Sequence, residues 1–254
     1  VNGRWTSAGG LRIHARCWTP AHGAAGRPPI VLVHGLGVSS RYMEPAAERL
    51  AVWHDVFAPD LPGFGQSESP RDFFSINRQA RALGDWIDAS GIRTPVLVGH
   101  SYGCQVVVEL AMQRPSCAMA LVLTAPTVEN TRRSILGEAR RLVSDAPRER
   151  LGLLPIVVRD YVRAGPRRIL FTLRDAIADR IEDKLPRVSM PTLFVRGARD
   201  PIVSARWIAF LAAQTRGAST VTLDLAAHAV NFSDAEGFAA AVINFVASIA
   251  PPPR

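Results

Sequence analysis

The chain has 254 residues, 48% of them apolar, which is enough to bury the core of one full domain. It holds no uninterrupted run of about 18 apolar residues, so no transmembrane helix is expected, and Val1 to Gly10 has neither the basic start nor the apolar centre of a signal peptide. The formal net charge of +8 invites a nucleic-acid or bilayer partner, but +5 of it lies between Val128 and Arg187, where thirteen Arg and one Lys face nine acids.

From Pro29 onward, strand-like runs, helix-like runs and tight turns alternate, the pattern of a mostly parallel sheet covered on both faces. Arg12 to Trp18 predicts an antiparallel edge strand, and Pro29 to Val33 a short buried one. A helix near Arg41 to Val52 and a strand near His54 to Ala58 follow, then a helix near Ser75 to Ala89 that a cap serine opens and Gly91 closes. The run Val96-Leu97-Val98, a helix over Cys104 to Gln113 and a strand over Met119 to Thr124 complete the first half. The second half predicts strands over Thr192 to Gly197 and Thr220 to Leu225. It adds helices near Ala205 to Gln214 and Ala235 to Ile249, ended by Pro251-Pro252-Pro253.

Between the halves, the sequence is helical in period. Ile169, Leu170, Leu173, Ile177, Ile181 and Leu185 recur at spacings of three and four on a helix that begins after Pro166. Ile135, Leu136, Ala139, Leu142 and Val143 make a second stripe, and Leu151 to Val162 a third apolar cluster. The pairs Arg132-Arg133, Arg140-Arg141 and Arg167-Arg168 fall between apolar positions, so they read as solvated helix faces, with attraction of an anionic substrate or product left open. No nucleic-acid partner and no stable membrane insertion is expected. Cys17, Cys104 and Cys117 cannot all pair, which favours a reducing, cytoplasmic setting.

Gly99-His100-Ser101-Tyr102-Gly103 stands at the junction of a buried strand and a helix. Glycines two before and two after the serine fit a turn so tight that side chains there would clash, and such a turn lifts the hydroxyl out of the sheet. The helix start behind it turns free N–H groups toward the same point. A serine hydroxyl needs a base and an acid to orient that base, and both follow strands downstream: Asp200 in Gly197-Ala198-Arg199-Asp200-Pro201, and His228 in Ala226-Ala227-His228-Ala229. Upstream, His34-Gly35-Leu36-Gly37 leaves a strand through glycines, so the N–H groups of Leu36 and Tyr102 are the expected oxyanion donors.

With these four pieces in register, the sequence resembles the α/β-hydrolase fold serine hydrolases from about Arg12 to Ala247. The segment Asp60-Leu61-Pro62-Gly63-Phe64-Gly65-Gln66-Ser67 is similar to the family's loop after its next strand. The resemblance implies a doubly wound, mostly parallel sheet over residues 1–126 and 188–254. It further implies a helical cap insertion over 127–187, lying on the catalytic face with an apolar acyl or ring pocket beneath. The family sometimes takes its acid from the end of the preceding strand, but Thr124-Ala125-Pro126 offers no carboxylate there, which favours Asp200, with Asp224 the first alternative. His34 and His100 read as supporting or packing residues. The implied activity is hydrolysis of a carboxylic ester or related acyl bond in a small, largely apolar substrate, without cofactor or metal. Three alternatives stay open: carbon–carbon hydrolysis of ring-cleavage products, cofactor-free haloperoxidase behaviour, and a non-catalytic ligand sensor. Ala229 and Gly103-Cys104 stand where the carbon–carbon hydrolases commonly carry a Trp and a Gly pair.

Overall fold

The computed structural model describes residues 2–24, 26–131 and 133–249; Arg132 and the Pro251-Pro252-Pro253 tail lie outside them. Eight strands form one sheet: β1 (Asn2–Ala8), β2 (Leu11–Trp18), β3 (Ile30–Val33), β4 (Val56–Pro59), β5 (Val96–His100), β6 (Ala120–Thr124), β7 (Thr192–Gly197) and β8 (Ala218–Leu223). Their order is β1-β2-β4-β3-β5-β6-β7-β8. From β4 through β8 every pairing is parallel, and only the β1–β2 and β2–β4 pairs run antiparallel. The outer edge strand is therefore β1, where the sequence predicts Arg12 to Trp18 to be the edge. Most of β1 is exposed, so no alternation of apolar and polar residues marks it.

The helices are α1 (Glu44–Leu50), α2 (Ile76–Ala89), α3 (Tyr102–Gln113), α4 (Ile135–Asp145), α5 (Leu153–Ala164), α6 (Pro166–Ala178), α7 (Ile181–Lys184), α8 (Ala205–Gln214), α9 (Val230–Ser233) and α10 (Ala235–Ile249). Alternate strand residues enter two cores. Val31, Val33, Leu97, Leu121 and Leu123 pack with side chains of α2, α3 and α8, while Ile30, Leu32, Val96, Val98 and Val122 pack with those of α1 and α10. Burial on both faces is why these strands read as unbroken apolar runs. Among the described residues no helix is long and apolar enough to cross a membrane. All three cysteines are free.

The predicted single helix after Pro166 is two: α6 ends at Ala178, and Asp179 and Arg180 intervene before α7. The residues between β6 and β7 reach the loops at the C-terminal ends of the strands. Ser39 Oγ donates to Asp160 at 2.5 Å, and Asp175 accepts from the Ile76 N–H at 2.6 Å. Gln105 Nε2 donates to the Ala176 carbonyl at 2.8 Å.

Candidate active site

β5 delivers Ser101 into a turn with φ +54° and ψ −118°, a region that side-chain-bearing residues seldom occupy, and α3 starts at the next residue. The flanking glycines explain how the turn closes. A Cβ on Gly99 would stand 2.7 Å from the Cys104 backbone, and one on Gly103 2.3 Å from the Val33 carbonyl oxygen. The Ser101 N–H is held by the Thr124 carbonyl at 2.9 Å. Its hydroxyl is left to point away from the sheet, toward the loops that follow β7 and β8.

Those loops bring the two distant partners to it. His228 Nε2 lies 3.0 Å from Ser101 Oγ, and His228 Nδ1 lies 2.9 Å from Asp200 Oδ2. In the neutral imidazole, Nδ1–H donates to the carboxylate and Nε2 accepts from the serine hydroxyl. The other oxygen of Asp200 accepts from the N–H groups of Ile202 at 2.7 Å and Val203 at 3.1 Å. Burial raises the Asp200 pKa, but the His228 charge and hydrogen bond and these two N–H donors outweigh it and hold the carboxyl below its ordinary value. For His228, burial alone would favour the neutral ring, yet Asp200, then Asp145 and Glu149, push it up to about 9. Asp224, the alternative acid, lies beyond the end of β8 and is exposed.

A chain of hydrogen bonds joins the loop after β3 to the histidine loop. The Gly35 N–H donates to Tyr42 Oη at 3.0 Å, Tyr42 O–H donates to His100 Nδ1 at 2.6 Å, and His100 Nε2–H donates to the His228 carbonyl at 2.9 Å. Burial holds His100 neutral, down to about 3, and a neutral ring is what this one-donor, one-acceptor role requires. His34 fixes the same loop, donating from Nδ1 to the Gly35 carbonyl at 2.8 Å and accepting the Leu61 N–H at Nε2 at 2.9 Å. Among the described residues, neither the Leu36 nor the Tyr102 N–H has a backbone acceptor.

Three residues absent from the sequence reading touch this constellation. Thr127 Oγ1 lies 3.4 Å from Ser101 Oγ. Asp145, at the end of α4, accepts from the His228 N–H at 3.4 Å, and Glu149 accepts from the Ala229 N–H at 2.6 Å. Burial, the Asp145 charge and the proximity of the two carboxyls push Glu149 up to about 7 against the pull of the Ala229 N–H. Burial likewise raises Asp145.

These contacts reverse the expected orientation of α4. The periodicity predicts that Leu136 and Val143 face inward, but they are 73% and 74% exposed, while Glu138 and Asp145 are 4% and 7% exposed. Glu138 pairs with Arg141, and Asp145 meets the histidine loop. On α5, Val162 is 78% exposed. The arginine pairs also depart from a purely solvated face: Arg133 donates to the Ile177 carbonyl at 2.8 Å and binds Glu182 with both oxygens, and Arg168 donates to Ser69 Oγ at 2.7 Å.

Comparison with known proteins places this chain in a family. The sequence profile of the alpha/beta hydrolase family matches residues 30–241. The first curated relatives align at 35% identity over 102 residues, and the chain spans about a third of their length, 30%. Over nearly the whole chain, it is 27% identical to a putative carbamate hydrolase of Klebsiella pneumoniae, covering 90% of this chain and 95% of that one. It is 28% identical to a pimeloyl-[acyl-carrier protein] methyl ester esterase of Neisseria meningitidis, covering 87% and 94%. The crystal structure of the enol-lactonase from Burkholderia xenovorans shares the fold at a TM-score of 0.81 and 22% identity, over 96% of this chain and 100% of that one. A profile match across most of the sequence and an eight-stranded, mostly parallel sheet agree: the chain belongs to the alpha/beta hydrolase family.

Proposed function

We propose that the chain hydrolyses a carboxylic ester or related acyl bond of a small molecule through a serine acyl-enzyme, with no cofactor. The observation that carries this reading is the unbroken relay from Ser101 Oγ to His228 at 3.0 Å and from His228 to Asp200 at 2.9 Å, built on a serine at positive φ. His228 Nε2 takes the hydroxyl proton as Ser101 Oγ bonds to the carbonyl carbon, and Asp200 orients the ring and stabilises its charged form. The N–H groups of Leu36 and Tyr102 receive the oxyanion, each donor being worth roughly 2.7–4 kcal/mol. Collapse of the tetrahedral species breaks the bond to the leaving group, which departs with the proton from His228. Water, deprotonated by the same nitrogen, then frees the acid and restores Ser101. Residues 127–187 act in this reading as a cap, and Asp145 and Glu149 tie it to the histidine loop. The three free cysteines fit a reducing compartment.

The test is turnover of p-nitrophenyl esters. The wild type should release p-nitrophenol with a burst, and Ser101→Ala should lose roughly 10⁶-fold in kcat while keeping its melting temperature. Undiminished turnover by that variant would overturn the mechanism.

A further inference from the structure

A crevice beside the loop after β3 brings together Arg16 of β2, Arg41, and Arg159 and Arg163 of α5, with Asp60 and Asp160 the acids in its lining. Four guanidiniums thus face two carboxylates, and both carboxylates are already engaged. Asp60 accepts from His14 Nδ1 at 3.0 Å, the Ser40 N–H at 2.7 Å and the Gln66 N–H at 2.9 Å, and Asp160 accepts from Ser39 Oγ. Among the described residues, Arg41, Arg159 and Arg163 form no ion pair within 4.0 Å. Arg16 is the most telling of the four. Its side chain is only 15% exposed, its nearest carboxylate oxygen, on Glu44, is 3.9 Å away, and its buried Nε has no hydrogen-bond partner. A guanidinium largely withdrawn from water without full pairing is costly. Arg159 and Arg163, one turn apart on the same helix face, add like-charge repulsion. An oxyanion seated among them relieves both costs, because guanidinium forks match carboxylate and phosphate oxygens two at a time.

The crevice also adjoins the loop that carries the Leu36 N–H. Ser39 and Ser40, in its wall, follow Leu36 by three and four residues. Tyr161, between the two α5 arginines, covers the same loop, its ring 2.5 Å from where a Gly37 Cβ would stand. We propose that this crevice binds the anionic group, a phosphate or a carboxylate, at the end of the substrate remote from the scissile bond. That the anion belongs to a substrate rests on the ester-hydrolase reading; the anion site itself does not.

Inorganic phosphate and malonate, each titrated against sodium chloride of equal ionic strength, should raise the melting temperature saturably in the wild type and in Ser101→Ala. The preferred anion of the two identifies the group. The rise should vanish in Arg159→Gln/Arg163→Gln and shrink in Arg16→Gln. Should the double variant lack a cooperative melt, Arg41→Gln provides the same comparison from the core side. A response equal to that of chloride, or one undiminished in these variants, would overturn the site. With p-nitrophenyl esters of matched chain length, the wild type should favour an ω-carboxylate over a neutral chain. The double variant should cut that preference about tenfold, chiefly through KM, the scale of one lost charged hydrogen bond. Equal use of both esters by the wild type would overturn the substrate assignment. Anion binding without turnover of any ester would sink the hydrolase mechanism and spare the crevice; turnover without anion binding would do the reverse.

Discussion

The strands around Ser101 and the helices between β6 and β7 use apolar residues in opposite ways. In β5 and β6 every residue is buried, and apart from the closing His100 and Thr124 none is polar, so along these strands hydrophobicity and burial coincide. In α4 the apolar residues Leu136 and Val143 face solvent while Glu138 and Asp145 face inward. The difference follows from what each segment packs against. A central strand has its own hydrogen bonds satisfied by its neighbours and offers mostly apolar side chains to the helices above and below. The α4–α5 segment instead covers the loop carrying His228, whose backbone N–H groups need acceptors, and carboxylates supply them. Burying an unpaired N–H is the larger cost, so the acids take the inward face.

The contrast can be broken at either region. The largest effect is expected at Asp200→Asn, which should lower kcat by about 10⁴-fold with little change in KM, because the carboxylate orients the base rather than the substrate. Against the opposing effect of burial, Asp200 holds His228 up at about 9. Only the unprotonated ring accepts the serine proton, so wild-type kcat/KM should rise with pH toward about 9, and the midpoint of that rise should move to lower pH in the variant. A pH profile unchanged by the substitution would remove Asp200 from the relay.

Next in size is Leu97→Ala in the buried sheet, expected to cost about 2–5 kcal/mol in urea unfolding, since the cavity is walled by covered strands. Glu149 tests the other region. Glu149→Ala orphans the Ala229 N–H and should cost about 1–3 kcal/mol, whereas Glu149→Gln keeps a carbonyl acceptor and should largely restore stability. The sign of its pH dependence is fixed by the raised carboxyl. The native state binds the extra proton, so this contribution to stability is full below the ordinary value of 4.5 and is lost as pH rises through about 7; Glu149→Gln should abolish that slope. Equal loss in both variants would mean that the side chain only fills space. The smallest effect belongs to Leu136→Ala on the exposed face of α4, expected within about 0.5 kcal/mol of wild type. A cost near that of Leu97→Ala would erase the contrast between the regions.

The sheet, the tight turn at Ser101 and the spacing of Ser101, Asp200 and His228 are legible in the sequence because each leaves a local mark: an unbroken apolar run, a pair of glycines, a polar residue just past a strand. β1 leaves none, being mostly solvated and hydrogen-bonded in the sheet to β2 alone. Thr127, Asp145 and Glu149 meet the site across 26, 83 and 80 residues of chain, and nothing in their own neighbourhoods distinguishes them from surface acids or loop hydroxyls. Glu138 and Asp145 do share a helix face opposite Leu136 and Val143. Periodicity finds both faces of such a helix, but which one turns inward depends on the backbone donors it covers.

The most direct test of the account is covalent labelling. The protein, with Asp200→Asn and Ser101→Ala alongside, is treated with a fluorophosphonate, and the modified peptide is sequenced by mass spectrometry. The wild type should carry one adduct, on Ser101, formed faster as pH rises toward about 9, with slow labelling in Asp200→Asn and none in Ser101→Ala. Ester turnover by a protein that acquires no adduct at Ser101 would contradict the assignment of the nucleophile and, with it, the function proposed for this site.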